Sequence, residues 1–71
     1  MNSIWELDSE HIAAYTENLT IMHHISKYPV MATYYRAGKM FAIQYKVPSQ
    51  HEYIVSKLLQ GDYVVNSNIK S

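Results

Sequence analysis

The sequence predicts an α+β fold in the order α-β-β-α-β. It would hold a long N-terminal amphipathic helix, a β-hairpin, a short second helix and room for a third short strand. Three observations predict it. Apolar residues from Ile12 to Ile25 recur at helical spacing. Two β-prone runs, 30–36 and 40–47, meet at Ala37-Gly38-Lys39. A serine after Pro48 then opens an amphipathic stretch that ends before Gly61.

The 71 residues read as one domain, 1–71, with 1–8 a lead-in and 66–71 a polar, frayed tail. At this length only about 60% of the unfolded chain's surface can be buried, so the core is thin. There is no cysteine to staple it, which suits a reducing compartment. No apolar run approaches the ~20 residues that span a membrane. The opening MNSIWELDSE has no basic residue, unlike a signal or transit peptide. The expectation is a soluble cytoplasmic protein with no membrane partner.

Two helix starts compete. Ser3 and Glu6 have capping-box spacing, and Asp8-Ser9 offers a second N-cap with Glu10 in the first turn. The second is the better main start, with Ile4, Trp5 and Leu7 packing as a lead-in turn. Ile12, Tyr15, Leu19 and Met22 then form one apolar stripe, widened by Ala13, Ala14, Ile21 and Ile25. Pro29 ends the helix, and His23, His24 and Lys27 complement the negative end of its dipole. The stripe is too short for a confident two-chain coiled coil, so packing on the chain's own sheet is preferred.

With Ala37-Gly38 as the tip, Tyr35 faces Met40. One face of the hairpin then carries Val30, Ala32, Tyr34, Phe41, Ile43, Tyr45 and Val47, the better core face. The other carries Met31, Thr33, Tyr35, Met40, Ala42 and Gln44, with Lys46 at its end. A three-residue loop would move this register by one. Ser49 to Glu52 has a second capping-box spacing, and the helix after it buries Ile54, Val55, Leu58 and Leu59. Gly61 suits a left-handed C-cap, and residues 63–65 are β-prone.

Catalytic and cofactor chemistry find little support. His23 and His24 are adjacent, about 100° apart on a helix, and His11 lies more than three turns away, so no helical metal site follows. Ser49 and His51 are close, but the serine reads as a helix cap rather than a nucleophile. Two glycines do not make a phosphate loop. The expectation is a non-enzymatic protein without metal or cofactor.

Charge is unevenly spread. Residues 1–26 hold Glu6, Asp8, Glu10 and Glu17 with no Lys or Arg. Residues 27–57 hold Lys27, Arg36, Lys39, Lys46 and Lys57 against Glu52 alone. Either the halves attract each other within the molecule, or the polarity orients a partner. The outer hairpin face is uncommonly apolar for a solvent face. Met31, Thr33, Tyr35, Arg36, Lys39, Met40, Gln44 and Lys46 are therefore the candidate partner-binding residues, with Tyr and Arg the types favoured at hot spots. The competing explanation is that the second helix or a third strand covers this face.

A protein partner is the first expectation, and a homodimer would relieve the thin core. A nucleic-acid-binding regulator using the basic, Tyr-rich hairpin is the alternative, weakened by zero net charge and a single Arg. In size, lack of cysteine and lack of catalytic machinery, the chain resembles the small accessory and inhibitor proteins of phages and other mobile elements.

Overall fold

The computed structural model describes residues 1–60. Two antiparallel hairpins lie side by side in one four-stranded sheet. The first pairs β1 (Asn2–Glu6) with β2 (His11–Thr16), and the second pairs β3 (Val30–Arg36) with β4 (Lys39–Pro48). A six-residue helix α1 (Leu19–His24) joins them. A 3-10 turn (Ser49–His51) leads into α2 (Glu52–Leu59). The sheet order is β1-β2-β4-β3, and β2 pairs antiparallel with β4.

The α+β class and the hairpin stand, but the long N-terminal helix does not. Residues expected to be its first half form β2, and Asn18 caps the short α1 by accepting a hydrogen bond from Ile21 N–H at 3.1 Å. The same residues carry a second periodicity. Ile12, Ala14 and Thr16 alternate onto one face, and all three are buried. Helix propensities differ by only a few tenths of a kcal/mol per residue, so pairing with β1 and β4 decides the outcome. Ser3 and Glu6 lie in β1 rather than in a capping box. Asp8 closes the β1–β2 turn, where its carboxylate accepts from Glu10 N–H at 2.7 Å. The expected third strand at 63–65 and the frayed tail at 66–71 lie outside the described residues.

Ile12, Ala14, Ile21, Ile25, Tyr45, Val47 and Val55 form the core, with Ile4, Tyr28, Ile43, Leu58 and Leu59 packed against it. Both helices therefore cover the same face of the sheet. Polar ties close its margin. Thr16 Oγ1 donates to Asn2 Oδ1 at 2.6 Å and accepts from Asn18 N–H, while Asn2 Nδ2 donates to the Leu59 carbonyl at 2.8 Å. The second helix falls where expected, but Ser49 makes no capping bond. No helix among the described residues is long and apolar enough to cross a membrane.

Candidate interaction face

The face of the sheet opposite the helices is built by strand alternation. Ile4, Ala14, Ile43, Tyr45 and Val47 point to the core, so their neighbours Trp5, Ala13, Tyr15, Ala42, Gln44 and Lys46 point away from it. Ala13 and Ala42 are fully buried despite lying on this side. The larger side chains of this face cover them. Trp5 is 42% exposed and Tyr34 37% exposed.

The hairpin register explains how Tyr34 comes to this face. Ala37 and Gly38 have φ of 53° and 79°, forming a two-residue turn in which both positions are left-handed. Tyr35 faces Met40 as expected. Phe41 then forms a bulge, so Tyr34 faces Ala42 and Thr33 faces Ile43. A second irregularity at Met31 restores the expected Val30–Tyr45 pair. Between the two bulges β3 is turned over relative to the simple register. Tyr34 and Phe41, expected inside, join the open face. Thr33, expected outside, stands opposite Ile43 on the core side.

The rings make a continuous file. Tyr15 and Tyr34 meet edge to face at 5.6 Å between centroids, and Tyr34 meets Phe41 at 6.4 Å. The Arg36 guanidinium lies 4.2 Å from the centre of the Phe41 ring, a cation–π contact. Tyr34 O–H donates to Gln44 Oε1 at 2.8 Å, and Gln44 Nε2 donates to Met31 Sδ at 3.5 Å. Of the expected partner-binding residues, the structure thus gathers Met31, Arg36 and Gln44 around Tyr34, with Lys46 farther along the same face. Tyr35, Met40 and Lys39 sit by the tip. Trp5, Tyr15, Tyr34 and Phe41 were not in the expected set. The signal for Trp5 and Tyr15 was the strand alternation hidden under a helical stripe.

Glu17 anchors one end of the file. Its carboxylate accepts from Tyr15 O–H at 2.8 Å and pairs with the Met1 amino group at 3.0 Å. The Tyr15 hydrogen bond, then the ammonium, holds Glu17 below the usual carboxylate range. The same hydrogen bond raises Tyr15 above the ordinary phenol.

Among the described residues, neither the Met1–Glu17 nor the Asp8–His11 ion pair joins the acidic half to the basic one. Both pairs lie within the first seventeen residues. Among the described residues, Arg36, Lys39 and Lys46 have no carboxylate within ion-pair reach.

A second feature is a cleft of about 410 Å³ lined by Ser9, Glu10, His11, Pro48, Ser49 and Gln50. His11 Nδ1 lies 3.1 Å from Asp8 Oδ1, which leaves Nε2 as the outward nitrogen. Among the described residues, the hydrogen-bond partner of that ring is the Asp8 carboxylate. His51 is occupied with Tyr28, whose hydroxyl is 2.9 Å from its Nδ1. Among the described residues no three histidine or carboxylate side chains gather as a metal site.

No family model matches the chain, and no curated protein or solved structure matches it either.

Proposed function

We propose that this protein is a small non-enzymatic binding module that takes a protein partner on the open face of its sheet. The observation that carries the reading is the file of Tyr15, Tyr34 and Phe41, ending in Arg36, on a face from which the helices are absent. Large rings flanked by a guanidinium are the chemistry of interface hot spots. Ala13 and Ala42 on this face are fully covered, so the rings offer a partner a continuous surface. A role as accessory protein or inhibitor follows from binding without catalysis.

Stacking of unpaired bases on the same rings is the second reading, favoured by their placement on an open sheet beside Arg36 and Lys46. It is opposed by Glu17, whose carboxylate lies on the Tyr15 hydroxyl at the end of the file and would repel phosphate.

A photoreactive amino acid placed at Trp5 or Tyr34, with a control at Tyr53 in α2, tests the proposal in cells. The expected result is a protein adduct from the two face positions and none from the control. Adducts to nucleic acid from the same positions would favour the second reading. An adduct of twice the chain mass identifies a second copy as the partner. Equal labelling from all three positions would overturn the assignment of the face.

A further inference from the structure

β3 is an edge strand, with β4 on one side and no strand among the described residues on the other. An edge presents a row of unpaired N–H and C=O groups, which proteins usually blunt with charge, proline, glycine or shortness. The six residues from Val30 to Tyr35 contain no charge, proline or glycine. Val30, Met31, Tyr34 and Tyr35 are all exposed. The other edge, β1, is shorter at five residues. It ends at Glu6 and begins beside the ion-paired Met1 amino group. The two edges are therefore unequal, and β3 is the one open to another strand.

Charge selects the kind of strand. From residue 18 to residue 51 there is no Asp or Glu. Lys27 precedes Val30 by three residues, and Arg36 and Lys39 stand at the opposite end of β3, flanking the turn. A second copy adding its own β3 antiparallel would bring its Arg36 and Lys39 to the Val30 end, beside Lys27. Like charges would then meet at both ends. An extended segment with carboxylates outside an apolar centre would instead meet a cation at each end.

We propose that the β3 edge accepts, by strand addition, an extended segment of a partner protein whose apolar centre is flanked by Asp or Glu. The inference rests on the protein-partner reading but uses the backbone edge instead of the ring-lined face. Main-chain hydrogen bonds supply affinity in such additions, and flanking charge supplies selectivity.

The test uses the full chain and two capped peptides of alternating valine and threonine. One is flanked by two glutamates at each end, the other by two lysines. Binding is followed by titration and by amide hydrogen exchange. The expected result is that the glutamate peptide binds more tightly than about 1 mM and protects amides of residues 30–36. The lysine peptide should bind at least about tenfold more weakly. The double variant Lys27→Glu, Lys39→Glu, at two exposed positions, should reverse that preference. Equal binding of the two peptides, or no protection of residues 30–36, would overturn the proposal. Protection that rises with protein concentration in the absence of peptide would also overturn it, by giving the edge to a second copy. Shifts of the Trp5 and Tyr15 ring signals without protection of β3 would retire the edge and leave the open-face reading standing. Protection of β3 combined with no adducts at Trp5 or Tyr34 would do the opposite.

Discussion

Tyr34 faces Ala42 across the second hairpin, one step out of the register that the Tyr35–Met40 pair sets at its tip. The extra residue is Phe41, and this displacement carries both rings to the open face. A truncation series measures the consequence. Ile25→Ala removes a fully buried core side chain and is expected to cost about 2–5 kcal/mol. Phe41→Ala, on the partly exposed face, is expected to cost less, about 1–2 kcal/mol, most of it the contacts with Tyr34 and Arg36. Urea unfolding gives both values. Equal costs would return Phe41 to the core.

The turn contains an avoidable penalty. Ala37 has φ of 53°, a left-handed conformation that costs an L-residue with a β-carbon roughly 1–2 kcal/mol. Asn-Gly is the preferred pair for such a turn. Ala37→Asn is therefore expected to stabilise the protein by about 0.5–1 kcal/mol, raising the melting temperature by a few degrees. At Gly38 an added β-carbon would meet nothing within 4 Å, so the strain of Gly38→Ala would come from the backbone alone.

Asn18 gives a cleaner test of the short helix. Its side chain accepts from Ile21 N–H, and Asn18→Ala is expected to cost about 1 kcal/mol. Thr20→Ala, on the exposed side of the same helix, should change stability by less than about 0.5 kcal/mol. If the two variants unfold alike, the cap does not hold α1.

Two carboxylates set the acid limb. Asp8 is held low mainly by the Glu10 backbone N–H, and Glu17 mainly by the Tyr15 hydroxyl. A carboxylate depressed by folding contributes stability above its unfolded pKa. That contribution fades as pH falls through the folded value. Stability should accordingly decline below about pH 4, where these groups take up protons. Tyr15 works in the opposite sense. Its phenol is raised by folding, so its contribution is present below about pH 10 and fades as pH climbs past the folded value. Tyr15→Phe should move the Glu17 titration upward in a carboxyl-carbon NMR experiment and leave Asp8 in place.

The second hairpin was legible because its signals are local. Gly38 marks the turn, and the Tyr35–Met40 pairing follows from the two-residue loop. The second helix was legible from Val55, Leu58 and Leu59. The first hairpin was not, because Ala13 and Ala14 are the residues that helices favour most, and Ile12, Tyr15, Leu19 and Met22 happen to fall at helical spacing. In the sheet those alanines have another use. Small side chains at 13 and 42 let larger neighbours close over the sheet, and the helical spacing around Ala13 conceals that use. The bulge at Phe41 was equally hidden, since a bulge is set by packing on β2 as well as by the strand that carries it. The open face was thus half legible. Met31, Arg36, Gln44 and Lys46 could be read from the hairpin, whereas Trp5 and Tyr15 required knowing that Asn2–Glu6 and His11–Thr16 are strands.

The order β1-β2-β4-β3 also sets a schedule for folding. Each hairpin closes over a short loop, while the seam between β2 and β4 joins Ala14 to Tyr45, about thirty residues apart in the chain. Hairpins form in roughly 1–10 μs, so bringing the two halves together is the slow event. Replacing Tyr45 by Phe or Ala14 by Gly should slow refolding in stopped-flow mixing, with Trp5 as the fluorescent reporter. Changes at the Ala37-Gly38 turn, which closes before the seam, should likewise alter mainly the folding arm and leave unfolding nearly unchanged. The seam is in this sense the hinge line of the molecule's kinetics: two prefabricated ribbons meet there, and a chain slow to join them would expose both inner edges to its neighbours.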